Sequence, residues 1–258
     1  MKHLSHIDPL AISLSDKGLG FDNNIATPSF QEKAYPEFKD FFESHNLDID
    51  TVLYYIYRGI SLRDDMALWK EAHLRYDITL IFAGTIGEEP IHTVGHFHIH
   101  DKAGYAYPEI YQVLSGNALF ILQSENRSSF HVIEASSGKK VIIPPGFGHI
   151  TLNPSISEPL IVANIFTDSA NSDYSLFREH HGAFYHPHRN NGLIQFAPNP
   201  SYDTHPSLKY HKQLKPLPFG ICQGSSLYQE ATDKITSFEF LNAPERFLDN
   251  LSCDALFA

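Results

Sequence analysis

Between Ile78 and Phe166 the chain is a succession of short apolar runs divided by turn chemistry, and this rhythm most constrains its fold. The runs fall at 78–83, 92–100, 110–114, 117–123, 130–134, 140–143, 149–153 and 160–166. Between them lie Gly84 and Gly87, Ser115-Gly116, the polar stretch 124–129, Ser136-Ser137-Gly138, Pro144-Pro145-Gly146 and Pro154 through Pro159. Many short strands at regular spacing, each closed by Gly or Pro turns, predict an all-β sandwich or barrel.

The flanks are less regular. Residues 1–50 are rich in Pro, Asp and Asn, with one helical stripe at 36–44 where Phe38, Phe41 and Phe42 recur at three- and four-residue spacing. A further strand is expected at 52–57. The stretch 178–188 reads as loop, 192–197 as one more strand, and 226–258 as mixed helix. These divisions predict an N-terminal extension over 1–50 packing on a barrel domain at 51–203. A C-terminal extension at 204–258 is too small to be an independent domain.

Composition narrows the function classes. A formal charge of −11 argues against nucleic acid as a partner. No apolar run approaches the roughly 20 residues that span a bilayer. The N-terminus has no apolar core of a secretory leader, and the two cysteines, Cys222 and Cys253, show no CxxC or disulfide framework. A soluble cytoplasmic protein is the expectation.

Sixteen histidines are many for this length, and they concentrate at 92–100 and 180–188. In Gly95-His96-Phe97-His98-Ile99-His100 the residues two apart share one face of a strand. Glu109 opens the next run, and His149 follows the Pro144-Pro145-Gly146 turn. A lone strand histidine is usually satisfied by a hydrogen bond. A His-x-His pair followed by a strand-opening glutamate and a third histidine after a turn instead predicts a His3Glu metal site. Such a donor set suits Fe, Mn, Ni, Co or Zn and leaves positions open for a substrate. His92 and His100 share the parity; His100 is placed at the rim, and His92 has no assigned role.

The residues also carry a family resemblance. Asp77 through Gly87, Thr93-Val-Gly-His-Phe-His98, Pro108 through Gly116 and Ile143-Pro-Pro-Gly-Phe-Gly-His-Ile-Thr-Leu-Asn153 resemble the cupin-type glucose-6-phosphate isomerases. The resemblance runs from about Val52 to Tyr202 and implies a cupin jelly-roll β-barrel with N- and C-terminal extensions containing short helices. It implies one divalent first-row ion per subunit (Fe, Mn, Ni or Zn) on His96, His98, Glu109 and His149. It further implies a phosphate held by Thr79, Thr93 and the Gly95 backbone, substrate contacts from Tyr54, Tyr111 and Tyr174, Glu109 and Tyr111 as catalytic groups, and a homodimer. The implied activity is interconversion of glucose 6-phosphate and fructose 6-phosphate, by an enediol route with Glu109 as base or by a metal-assisted hydride shift.

Strict alternation puts Thr93 and Gly95 opposite His96, so one pocket containing all three needs a bulge near Val94-Gly95. The chain departs from the family in a longer 98–109 loop with Tyr105 and Tyr107. Phe166 stands where the family has tyrosine and Ser172 where it has a substrate-contacting histidine, for which His180, His181 or His186 would be the substitutes. The alternatives are an isomerase or epimerase of another sugar phosphate, a sugar-phosphate-binding cupin without activity, and a metal-dependent dioxygenase.

Overall fold

The computed structural model describes residues 2–4, 6–99 and 104–257, so His100 lies outside the described residues. Apart from 92–100, whose Phe97–His98 strand pairs with Ser172–Asp173, the short runs pair into two sheets around one apolar core. The larger sheet has the order Lys140–Ile143, Glu109–Ser115, Leu160–Thr167, Leu74–Ile81, Val52–Arg58 and Ser29–Ala34, every neighbour antiparallel. The smaller has Phe147–Leu152, Asn117–Ser124 and Phe130–Ser136, with Leu208–His211 added parallel at its edge.

From 109 to 167 the chain changes sheet at Gly116, at 137–139, at 144–146 and at 153–159, with only the 117–136 hairpin staying in one sheet. That alternation makes the fold an all-β jelly roll. Gly116 makes its crossing in a single residue at φ +90°, a conformation with little room for a side chain. The expected strands are all present except that the 92–100 run is regular only at Phe97–His98. Its upstream part is tied to the 147–152 strand by bridges at His92 and His96.

Other expectations need correction. The 36–44 stripe is not one helix: a single turn at Tyr35–Phe38 gives way to a 3-10 turn at Lys39–Phe41, because the Phe38 backbone leaves helical geometry at φ −120°. Phe41 and Phe42 are buried all the same. The N-terminal residues read as turns also form the strands Ile12–Ser15, Gly18–Phe21 and Ser29–Ala34. The stretch read as loop at 178–188 ends in a hairpin, Tyr185–Asn190 against Leu193–Pro198.

The C-terminal segment is fastened to the outer face of the large sheet. Fully buried Lys140 directs its ammonium to the Ser225 carbonyl and the Glu230 carboxylate, both at 2.8 Å, and also to the Cys222 carbonyl. Gln112 brackets the same segment, donating to the Ser225 carbonyl and accepting from the Leu227 N–H. Among the described residues no helix is long and apolar enough to cross a membrane.

Candidate metal centre and pocket

Strand alternation decides which side chains meet between the sheets. On the large sheet Tyr111, Asn164 and Asp77 are registered across three neighbouring strands. Side chains two residues away share their face, which adds Glu109, Phe166, Arg75 and Thr79. Tyr54, Ile56 and Arg58 come from the next strand. The opposite wall is formed by Thr93, Val94, His96 and His98, with Ser172 and Tyr174 closing one side.

The expected bulge is present. Four residue steps separate His92 from His96, whereas three separate their bridge partners Leu152 and His149. The extra residue turns Thr93 into the pocket beside His96. The Thr93 hydroxyl oxygen accepts the Thr151 N–H at 2.9 Å, replacing a ladder bond.

His96, His98, Glu109 and His149 bring one donor atom each to within 4.8 Å of one another. Glu109 Oε2 lies 3.4 Å from His98 Nε2 and 3.2 Å from His149 Nε2. Its other oxygen accepts the Asn164 amide at 2.6 Å. His98 Nδ1 donates to the Tyr107 carbonyl at 2.7 Å, which fixes the tautomer and leaves Nε2 as a bare lone pair. That Nε2 is buried without a hydrogen-bond partner. An orphaned imidazole lone pair facing a buried carboxylate is what a divalent cation would satisfy, so the residues fit a metal.

The protonation states agree with this fit. Burial, reinforced by His149 and His98, pushes the His96 imidazole well below its ordinary value. Burial lowers His149 too, against the pull of Glu109. Both imidazoles are therefore neutral at pH 7, the state a metal ion requires of them. Burial alone would raise the Glu109 carboxyl, but the His149 and His98 imidazoles beside it outweigh burial and hold the group well below the usual carboxylate range. The Tyr111 phenol, 3.1 Å from His149 Nε2, is raised well above its ordinary value by burial and then by the Glu109 charge.

Of the residues expected to contact substrate, Tyr54, Thr79, Thr93, Tyr111 and Tyr174 line the pocket. Gly95 does not. A Cβ built on it would lie 2.4 Å from the Phe177 ring, so its glycine allows close packing against a buried aromatic. Phe166 and Ser172 are in the wall, and the Phe166 ring sits 4.3 Å from that of His98. None of the three histidines expected to substitute at Ser172 lines the pocket. They follow the Ser175–Glu179 helix and turn elsewhere: His180 stacks on Tyr202, His181 on His45, and His186 meets Glu89.

The sequence reading missed Asn164 and a charged trio. Asp77, almost fully buried, accepts Arg75 Nε on both oxygens at 2.9 and 3.0 Å, Arg58 at 3.2 Å and the Gly59 N–H at 2.9 Å. The available signal was parity: Arg75, Asp77 and Thr79 alternate along an otherwise apolar strand and must share one face.

Comparison with known proteins fixes the family. The family model described as glucose-6-phosphate isomerase (GPI) matches residues 29–200, about two thirds of the chain. The chain belongs to this family. A glucose-6-phosphate isomerase of Pyrococcus horikoshii is 32% identical over 111 residues, covering 43% of this chain and 55% of that protein. One from Pyrococcus abyssi is 30% identical over 136 residues, covering 52% and 68%. The chain thus spans about half the length of the first of these GPI relatives. Among solved structures, vicilin from Corylus avellana overlaps 60% of this chain and 37% of its own at 13% identity and a TM-score of 0.38.

Proposed function

We propose that this GPI-family chain is a metal-dependent aldose–ketose isomerase interconverting glucose 6-phosphate and fructose 6-phosphate, a step of glycolysis and gluconeogenesis. The observation that carries the reading is the convergence of His96, His98, Glu109 and His149 within the family match. One divalent first-row ion per subunit, iron, manganese, nickel or zinc, would be held by those four side chains. When bound, it supplies a Lewis acid that polarises the sugar carbonyl.

The remaining roles belong to the chain's own groups. The isomerisation moves hydrogen between C1 and C2 and a proton between the two oxygens. Tyr111 stays protonated at working pH, so it serves as an O–H donor to a substrate oxygen. Glu109 is ionised, with Oε1 fixed by Asn164, and stands as the acceptor for a proton from carbon in the enediol route. Tyr54, Tyr174, Thr79 and Thr93 supply the surrounding hydroxyls, and Thr93 keeps its O–H proton free to donate. The site lies in a cytoplasmic protein on this reading. A homodimer would be formed through the outermost strand, Ser29–Ala34, since an uncovered sheet edge is a natural pairing surface.

The test is a coupled assay of fructose 6-phosphate to glucose 6-phosphate on metal-replete protein, with Glu109→Ala and His149→Ala as controls. Turnover lost in both controls supports the reading; wild-type turnover near zero with intact metal binding sinks it. Phe166 and Ser172 favour a second reading, a different sugar phosphate, because the wall beside His98 is apolar and short there. Faster turnover of another phosphorylated aldose or ketose would select it.

A further inference from the structure

The pocket contains two cations that the metal centre does not use. Arg58 and Arg75 are its lysine- or arginine-type wall residues among the described residues, and their side chains remain 31% and 30% exposed. Asp77, 2% exposed, takes Arg75 through Nε and Arg58 through one terminal nitrogen. The other guanidinium N–H groups have no acceptor among the described residues. Two positive charges against one carboxylate leave one uncompensated at this end of the pocket. A guanidinium anchored by one edge presents the rest of its planar donor fork to an incoming oxyanion.

Thr79 shares the inward face of Arg75 and Asp77, and its hydroxyl also has no protein partner among the described residues. Asp77 is two strands from Tyr111 in register, so the trio stands about 10 Å of backbone away from the metal-ligand edge. Gly95, meanwhile, packs on Phe177 and does not line the pocket.

We propose that Arg58 and Arg75, preset by Asp77, form with Thr79 the anion subsite of this pocket, where their free N–H groups hold the phosphomonoester of a sugar whose other end faces His96, His98 and Glu109. The proposal rests on the sugar-phosphate reading above and adds the residues that recognise the phosphate. Two guanidiniums and a hydroxyl match the several oxygens of a phosphoryl group better than the two of a carboxylate. Asp77 acts as a positioning residue, touching the arginines and not the ligand.

The test compares two unreactive probes, glucitol 6-phosphate and glucitol, titrated calorimetrically into the metal-loaded protein at fixed ionic strength. The ratio of their affinities isolates phosphate recognition from metal–hydroxyl contacts. Wild type is expected to prefer the phosphorylated probe. Arg75→Gln and Arg58→Gln should each cut the preference by about tenfold or more, the range for a charge-assisted hydrogen bond, at unchanged metal content. Should Arg75→Gln fail to fold, Arg58→Gln leaves Asp77 bonded to Arg75 and Gly59 and gives the same readout. An unchanged preference in the variants, or none in the wild type, overturns the proposal. Fructose 6-phosphate turnover measured in parallel separates the two readings. Turnover with an arginine-independent preference removes the subsite alone, and an arginine-dependent preference without turnover removes the isomerase alone.

Discussion

The Asn164 amide donates to Glu109 Oε1 at 2.6 Å, so the other oxygen, Oε2, is the one that faces His98 and His149. An amide on one strand thereby sets the orientation of a carboxylate on its neighbour. Both groups are buried. Without the amide, Oε1 would be desolvated and free to rotate toward the imidazoles.

Asn164→Leu should therefore weaken divalent-ion binding by about 10- to 100-fold, the usual cost of losing a partner behind a metal ligand. Competition with a chromogenic chelator measures this directly. An unchanged affinity would show that Glu109 needs no such orientation.

The strands and the histidine–glutamate quartet were legible because both depend on period-two alternation and on turns that announce themselves. The run 109–115 begins on its predicted glutamate, and the bulge before His96 follows from asking Thr93 and His96 to share a wall. Less was visible where tertiary packing outweighs local pattern. The 185–190 strand contains Pro187 and two histidines, a composition tolerable in a two-stranded hairpin though unlike a central strand. Arg58 carries no local signal for the pocket, because the partner that holds it there, Asp77, lies on a neighbouring strand.

Tyr111 offers a separation of chemistry from metal binding. Its hydroxyl is the only atom lost in Tyr111→Phe, and its ring packs at 5.2 Å on Phe120. If the phenol donates a proton to substrate, turnover should fall by about 10²- to 10⁴-fold. Metal content and melting temperature should stay near wild type. A loss of metal in parallel would instead make Tyr111 part of the ligand support.

His131 predicts a pH dependence away from the pocket. Its Nδ1 lies 3.0 Å from His211 Nε2, and burial, aided by His211 and Lys209, lowers its pKa from 6.5 to about 4. Between those values the unfolded chain binds a proton there that the folded chain refuses. The contribution to stability is thus fully present above pH 6.5 and is lost as pH falls toward 4. Denaturation of His131→Gln should show a pH slope over that window smaller by up to about one proton than wild type. Equal slopes would mean that His131 is protonated in the folded state.

Gly95 tests whether its missing side chain serves packing. Phe177, 1% exposed, occupies the place a Cβ would take, and it also packs at 5.3 Å, tilted by 35°, on Phe97, the residue between His96 and His98. Gly95→Ala must push this ring aside in a filled core, which should cost about 1–3 kcal/mol in chemical denaturation. Phe177→Leu creates space at the same point, so the double variant should be more stable than the sum of the two losses by about 0.5–3 kcal/mol. Strict additivity of the two substitutions would show that the ring yields freely. In that case the requirement for glycine would lie with the backbone N–H toward the pocket, as the phosphate role first expected of Gly95 demands.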